Sequence, residues 1–248
     1  MKHICTMVCL GLLALFTLQG CASAPKPNRS TEELLADAEQ AFSQKKYERA
    51  ISDWKLVKEK FPSPDISARV ELGIADAYFL DKEYIEAAAE YEGFRKLHPR
   101  HEQADYALYR LGMSHYKQIT GIDTDQTPLQ NALTLFESYM VQYPGGKYRD
   151  EVKGLIADCR DKQVQYEIYV GRFYVKTGSP KSGLARLEKV LKDFPDMKRR
   201  DEVYYYLGCA YLETDQKERC REMAGKLLKE FPASVHAGDG EKLLGRCK

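Results

Sequence analysis

A spacing that returns five times constrains this chain more than any other feature. In the stretch 68–99, Ala75 is followed at plus 3 by Tyr78, at plus 12 by Ala87, at plus 16 by Tyr91, at plus 19 by Phe94 and at plus 24 by Pro99. Steps of three and four put apolar residues on one helix face, and proline ends a helix because it has no N–H to donate. The offsets therefore predict two antiparallel helices, with small Ala75 and Ala87 where the backbones cross and a turn at Asp81, Lys82 and Glu83. The same offsets hold for Ala38, Ala50, Trp54, Val57 and Pro62, for Gly171, Tyr174, Gly183, Leu187, Val190 and Pro195, and for Gly208, Tyr211, Cys220, Ala224, Leu227 and Pro232. In the remaining copy Gly112 and His115 keep the register, but Ala132, Phe136, Tyr139 and Pro144 arrive eight residues late, so an insertion lies within 118–131.

This repeat resembles the tetratricopeptide motif, a helical hairpin that stacks on its copies because one hairpin cannot bury its own apolar face. The expected fold is all-α, a right-handed α-solenoid of about five tetratricopeptide-like helical hairpins with a C-terminal capping helix. Ser30 and Thr31 are placed to cap the first helix, and Trp54 to fill the first hairpin. Pro144 and Pro195 are 51 residues apart against 37 for two other intervals, and 147–176 contains no proline, which predicts one long helix extended by about four turns. The stretch 235–248, with Leu243 and Leu244, is expected to cover the last repeat.

The amino terminus belongs to a different kind of segment. Lys2 and His3 precede an apolar run over 4–18, and Gly20 stands directly before Cys21. The run is too short to span a bilayer and reads as a bacterial lipoprotein signal, removed at 1–20 to leave Cys21 for acylation, although Gln19 is an unusual neighbour of such a site. Several fatty chains at about 0.8 kcal/mol per methylene anchor a protein firmly. Ala22 and Ser23 follow where an aspartate would mark inner-membrane retention, so the expected location is the periplasmic face of the outer membrane. Residues 21–30 then form a short linker between lipid and first helix.

Chemistry that would need a particular constellation is not visible. Lysines and arginines number 38 against 37 acids, which leaves no basic footprint for nucleic acid. There is no Gly-rich phosphate loop, no Gly-x-Ser-x-Gly and no His-Glu-x-x-His, so a non-enzyme without cofactor or metal is expected. His98 and His101 make half a metal site at most, and His115 sits at a packing offset. Beyond Cys21, the cysteines Cys159, Cys209, Cys220 and Cys247 allow three pairings. Cys209 and Cys220 lie on the two helices of one hairpin near their crossing, where either a disulfide or two buried thiols would fit.

In tetratricopeptide arrays the concave groove is lined by first-helix residues just after the small position and by their neighbours one turn away. Besides Leu35, Glu39 and Asp76, this register selects Phe42, Arg69, Leu72, Phe79, Tyr106, Tyr109, Arg110, Met113 and Tyr116. The result is an aromatic groove with basic points, suited to an extended peptide with alternating apolar side chains and a terminal carboxylate. The same aromatic residues would serve equally well in packing between repeats.

The lipobox, the five repeats, an Asp-rich insertion before Leu129-Gln130-Asn131-Ala132, the stretch Tyr143-Pro144-Gly145-Gly146-Lys147-Tyr148 and the entry Asp161-Lys162-Gln163-Val164-Gln165-Tyr166-Glu167 to the long helix together resemble the BamD family. That family is the essential lipoprotein of the outer-membrane β-barrel assembly machine. The resemblance implies that residues 31–145 bind the C-terminal segments of unfolded outer-membrane proteins, and that 146–248 dock the barrel-forming subunit beside other assembly lipoproteins. For docking it directs attention to Arg199, Arg200 and Asp201, because a guanidinium can pair bidentately with a partner carboxylate. A different periplasmic tetratricopeptide lipoprotein, coordinating envelope or peptidoglycan enzymes, is the alternative.

Overall fold

The computed structural model describes residues 29–61 and 63–247, so the signal segment and Cys21 lie outside the described residues. The helices are α1 (Thr31–Ser43), α2 (Tyr47–Lys60), α3 (Pro64–Leu80), α4 (Tyr84–Leu97), α5 (Ala104–Lys117), α6 (Thr127–Gln142), α7 (Arg149–Lys176), α8 (Pro180–Asp193), α9 (Arg200–Glu213), α10 (Lys217–Glu230) and α11 (Ala237–Arg246). They pair as the spacing requires, into five hairpins and a final helix, with no strand among the described residues. The insertion of the third repeat is the α5–α6 loop. The extension after Pro144 is the first half of the 28-residue α7.

The chain divides after Pro62 into two compact units. The first is the α1–α2 hairpin. Ser30 and Glu33 form a reciprocal cap at its start, with the Ser30 hydroxyl accepting from the Glu33 N–H at 3.2 Å and the Glu33 carboxylate from the Ser30 N–H at 2.9 Å. Arg29 then bridges Asp37 at 2.7 Å and Asp53 at 3.1 Å, which ties the entering chain to both helices. Trp54 is buried against Phe42, ring centroids 5.5 Å apart.

Four of the five hairpins turn the same way. Lys45, Lys82, Gly178 and Asp215 all have positive φ, and each stands seven residues after the small position of its repeat. The residue that follows donates its N–H back to the carbonyl five residues earlier, in Lys46 to Ala41, Glu83 to Tyr78, Ser179 to Tyr174 and Gln216 to Tyr211, at 2.8–2.9 Å. This left-handed cap satisfies carbonyls that the helix end would otherwise leave unpaired. Only Gly178 adopts the conformation without side-chain strain. The third hairpin is the exception because its insertion replaces the tight turn.

In the second unit the small positions mark the helix crossings. A methyl group on Gly183 would fall 3.0 Å from the Gly171 carbonyl oxygen and 2.6 Å from Val175, and one on Gly112 would strike Phe136 at 2.6 Å. Tyr91, Phe94, Phe136, Tyr139, Leu187 and Leu227, the residues at the plus 16 and plus 19 offsets, are fully buried. At about 1.5–3 kcal/mol for each such side chain, they supply much of the energy that holds the hairpins together. At the C-terminal end, Leu243 of α11 covers Gly208 and Gly240 of α11 receives Leu227.

The expected disulfide needs correction. Cys220 is bonded to Cys247, with Cα atoms 6.0 Å apart, and Cys209 is a free, half-buried thiol, as Cys159 is a free buried one. The reason is rotational. Gly208 is the residue that crosses opposite Cys220, and Cys209, one step on, is turned about 100° away around the helix. The bridge instead fastens the residue after α11 to α10, beside the hydrogen bond from the Arg221 guanidinium to the Cys247 carbonyl at 2.9 Å.

Candidate functional site

Helix α5 carries five of the groove candidates, and its phenols reach in both directions. Tyr106 donates to Asp76 of α3 at 2.6 Å, whereas Tyr109 donates to Glu151 at 2.6 Å and Tyr116 to Asp158 at 2.7 Å, both on α7. Tyr109 also lies flat on Tyr148, centroids 4.3 Å apart with an interplanar angle of 4°. Three tyrosines of one helix therefore link the first helices of successive repeats. Each short phenol–carboxylate bond resists sliding as well as separation.

The densest point is Asp76, the residue just after small Ala75. Its Oδ1 accepts from the Tyr91 and Tyr106 hydroxyls, and Arg110 Nε lies 3.7 Å from it and 3.1 Å from the Tyr91 hydroxyl. The Arg110 guanidinium is stacked over Phe79, 3.6 Å from the ring centroid. Burial pushes the Asp76 carboxyl above its usual range, while the hydrogen bonds from Tyr106 and Tyr91 and the charge on Arg110 pull it back. The Tyr91 and Tyr106 phenols are raised by burial and then by the Asp76 charge. Tyr116 is pushed up to about 12 by burial and its bond to Asp158.

These contacts change what the register alone implied. Leu72 and Tyr109 are buried and belong to the packing between helices, not to an open face. Arg110 is not an isolated basic point, because its Nε donates to the Tyr91 hydroxyl near Asp76 and its face lies over Phe79. Phe79, Tyr106, Met113 and Tyr116 are half-buried on α3 and α5, Arg69 is exposed, and Phe42 belongs to the first unit. What the second unit offers at this place is an apolar and aromatic surface on a rigid polar frame. Nothing in the sequence marked Tyr91 as part of that frame, since its offset describes a core residue. His115 is half-buried, and burial lowers its pKa. His98 hydrogen-bonds Glu71 at 3.0 Å, and among the described residues no group of His, Cys, Asp and Glu is disposed to hold a metal.

The second candidate region is the α8–α9 turn. Lys198 and Arg199 are exposed, and Arg200 is half-buried, donating to the Pro195 carbonyl while its Nε is buried without a hydrogen-bond partner. Asp201 accepts from the Ser234 hydroxyl at 2.6 Å. Beside the turn lies a cleft of about 630 Å3, floored by Ala157, Val164, Phe194 and Met197 and edged by Asp161 and Asp196. It exists because α7 runs on past the length of an ordinary repeat helix and leaves its first half facing this turn.

Residues 27–227 match the family model described as YfiO, outer membrane lipoprotein. The chain belongs to this family. Its similar proteins include the outer membrane protein assembly factor BamD of Neisseria gonorrhoeae, 28% identical over 248 residues and covering 94% of this chain and 93% of that one. The factor of the same name from Vibrio cholerae is 25% identical over 232 residues, with 86% and 95% covered. Among solved structures the chain is similar to the TPR2AB domain of yeast Sti1 in complex with pHSP90, at a TM-score of 0.47, 10% identity and coverage of 88% and 89%. No helix among the described residues is long and apolar enough to cross a membrane.

Proposed function

We propose that this member of the outer membrane lipoprotein family is a scaffold for outer-membrane protein assembly, held by lipid on Cys21 at the periplasmic face of the outer membrane. On this reading the α3–α5 surface receives C-terminal segments of unfolded outer-membrane proteins, and the α8–α9 turn docks the barrel-forming subunit, with other assembly lipoproteins alongside. Family membership over residues 27–227 carries the reading, together with the assembly-factor name of its relatives. The geometry supplies a mechanism. Phenol–carboxylate bonds fix α3, α5 and α7 before any client arrives, so an extended segment would meet a preorganised apolar surface and only the segment itself would lose freedom. Phe79 and Met113 would then take apolar side chains, while exposed Arg199 and the outer part of the half-buried Arg200 guanidinium would meet a partner carboxylate.

The test is co-purification of the barrel-forming subunit with Arg200→Glu and, separately, Lys198→Glu chains at one salt concentration. A buried interfacial pair at Arg200 costs about 2–5 kcal/mol when reversed, against little for a rim charge, so recovery should fall sharply for Arg200→Glu only. Equal recovery with both variants would remove Arg200 from the docking surface.

A further inference from the structure

The groove register singled out residues of the first three repeats, but the same position in the fourth is Arg172, next to small Gly171. Its guanidinium lies 5.9 Å from the Tyr206 ring centroid of α9, and Lys176, one turn on, puts its ammonium 5.8 Å from the same ring. Two cations therefore stand near one tyrosine ring. Glu202 is the one carboxylate paired with either of them, at 3.5 Å from Arg172, and Lys176 has no ion-pair partner among the described residues. Between them on the helix, Phe173 is 54% exposed. The position of Lys176 in the last turn of α7 is favourable toward the helix dipole, but that leaves its charge uncompensated at the surface.

We infer that this face of α7 and α9 is a binding site for an acidic, aromatic-bearing extended segment of a partner protein. The charge decides the class of ligand. Two cations with one carboxylate leave a net positive charge, and an acidic side chain set over Lys176 and Arg172 would complete the pairing that Glu202 begins. An apolar or aromatic side chain beside the acid would cover Phe173, whose exposed ring is otherwise in water. The site is separate from the α3–α5 surface and adjoins the α8–α9 turn at Glu202, and it stands whether or not those surfaces bind what is proposed for them.

The experiment measures binding of a fluorescent peptide alternating Glu and Phe to the purified chain, against a peptide alternating Lys and Phe. The acidic peptide should bind and the basic one should not, with affinity falling as salt rises. Arg172→Gln with Lys176→Gln should weaken acidic binding by about tenfold or more at unchanged helix content, and Arg172→Glu with Lys176→Glu should abolish it. Lys153→Gln, which removes an exposed cation at the other end of α7, should leave it unchanged, which separates this pair from general positive charge. Equal binding of both peptides, or full binding by the double glutamine variant, would overturn the assignment. So would binding of phosphatidylglycerol vesicles that falls with these substitutions while peptide binding does not.

Discussion

The α3–α5 cluster and the α7–α9 cluster occupy equivalent places in the repeat and use the same residue types to opposite ends. In the first, one arginine only 16% exposed gathers a half-buried carboxylate, two phenols and a ring into a network across three helices. In the second, a 37%-exposed arginine and an exposed lysine stand by one tyrosine, with one half-buried glutamate for two cations. A closed network fixes helices relative to one another, whereas an open one leaves charge for a partner. Register alone cannot tell these apart, because it sets where a side chain stands and not what stands opposite.

The comparison is broken most directly by removing its two carboxylates. Asp76→Ala should destabilise the chain by about 2–3 kcal/mol in urea unfolding, since it takes the shared acceptor from the buried Tyr91 hydroxyl, the Tyr106 hydroxyl and the neighbouring Arg110. Glu202→Ala should cost under about 1 kcal/mol, because its ion pair is a long one of 3.5 Å to an arginine that is itself 37% exposed, whereas Asp76 accepts from two phenols. Similar losses for the two would mean that both clusters are structural.

The end of the second unit depends on a covalent tie that the α3–α5 region does without. Replacing Cys220 and Cys247 by serine should lower stability by about 3 kcal/mol through the loop of sequence separation 27, with loss of helix at α11 first. Hydrogen exchange that shows α11 opening no earlier than α10 in this variant would contradict the clamp.

Alkaline titration sharpens the contrast without substitution. Tyr116 on α5 and Tyr211 on α9 are both raised to about 12, in each case by burial first and a carboxylate partner second. A phenol whose folded pKa lies above its unfolded value of about 10 adds stability that is complete below that pH and is lost as the pH rises through about 12. The ring signals of Tyr116 and Tyr211, followed one residue at a time by NMR, should therefore hold until the pH approaches about 12. Titration of either ring near the ordinary value of about 10 in the folded chain would contradict these bonds.

The smallest effect expected is at the turns. Gly178→Ala should cost about 1 kcal/mol because its φ is positive, and Lys82→Gly, at the same place in the second repeat, should be neutral or slightly stabilising. Equal destabilisation by both would mean that the two turns are not equivalent.

Much of the fold was legible because the repeat is periodic. The crossing residues Gly171 and Gly183, the late arrival of Ala132 and the long helix after Pro144 all follow from intervals that can be read along the chain. The polar contacts did not, since Asp76, Tyr91 and Arg110 meet across three helices and their partnership depends on side-chain direction. The cysteines show the same limit. Cys209 and Cys220 were adjacent in register, yet one step of helix rotation separates them and gives Cys220 to Cys247.

If barrel precursors meet the α3–α5 surface of this scaffold, site-specific photo-crosslinking in cells will capture them there. A crosslinker at Met113, which is half-buried against the cluster that holds Phe136 and Tyr139, should capture newly made outer-membrane proteins, and one at exposed Val141 of α6 should not. Capture that disappears when the precursor's C-terminal segment is deleted would meet the prediction in full. Precursors captured equally at both positions, or at neither, would contradict it.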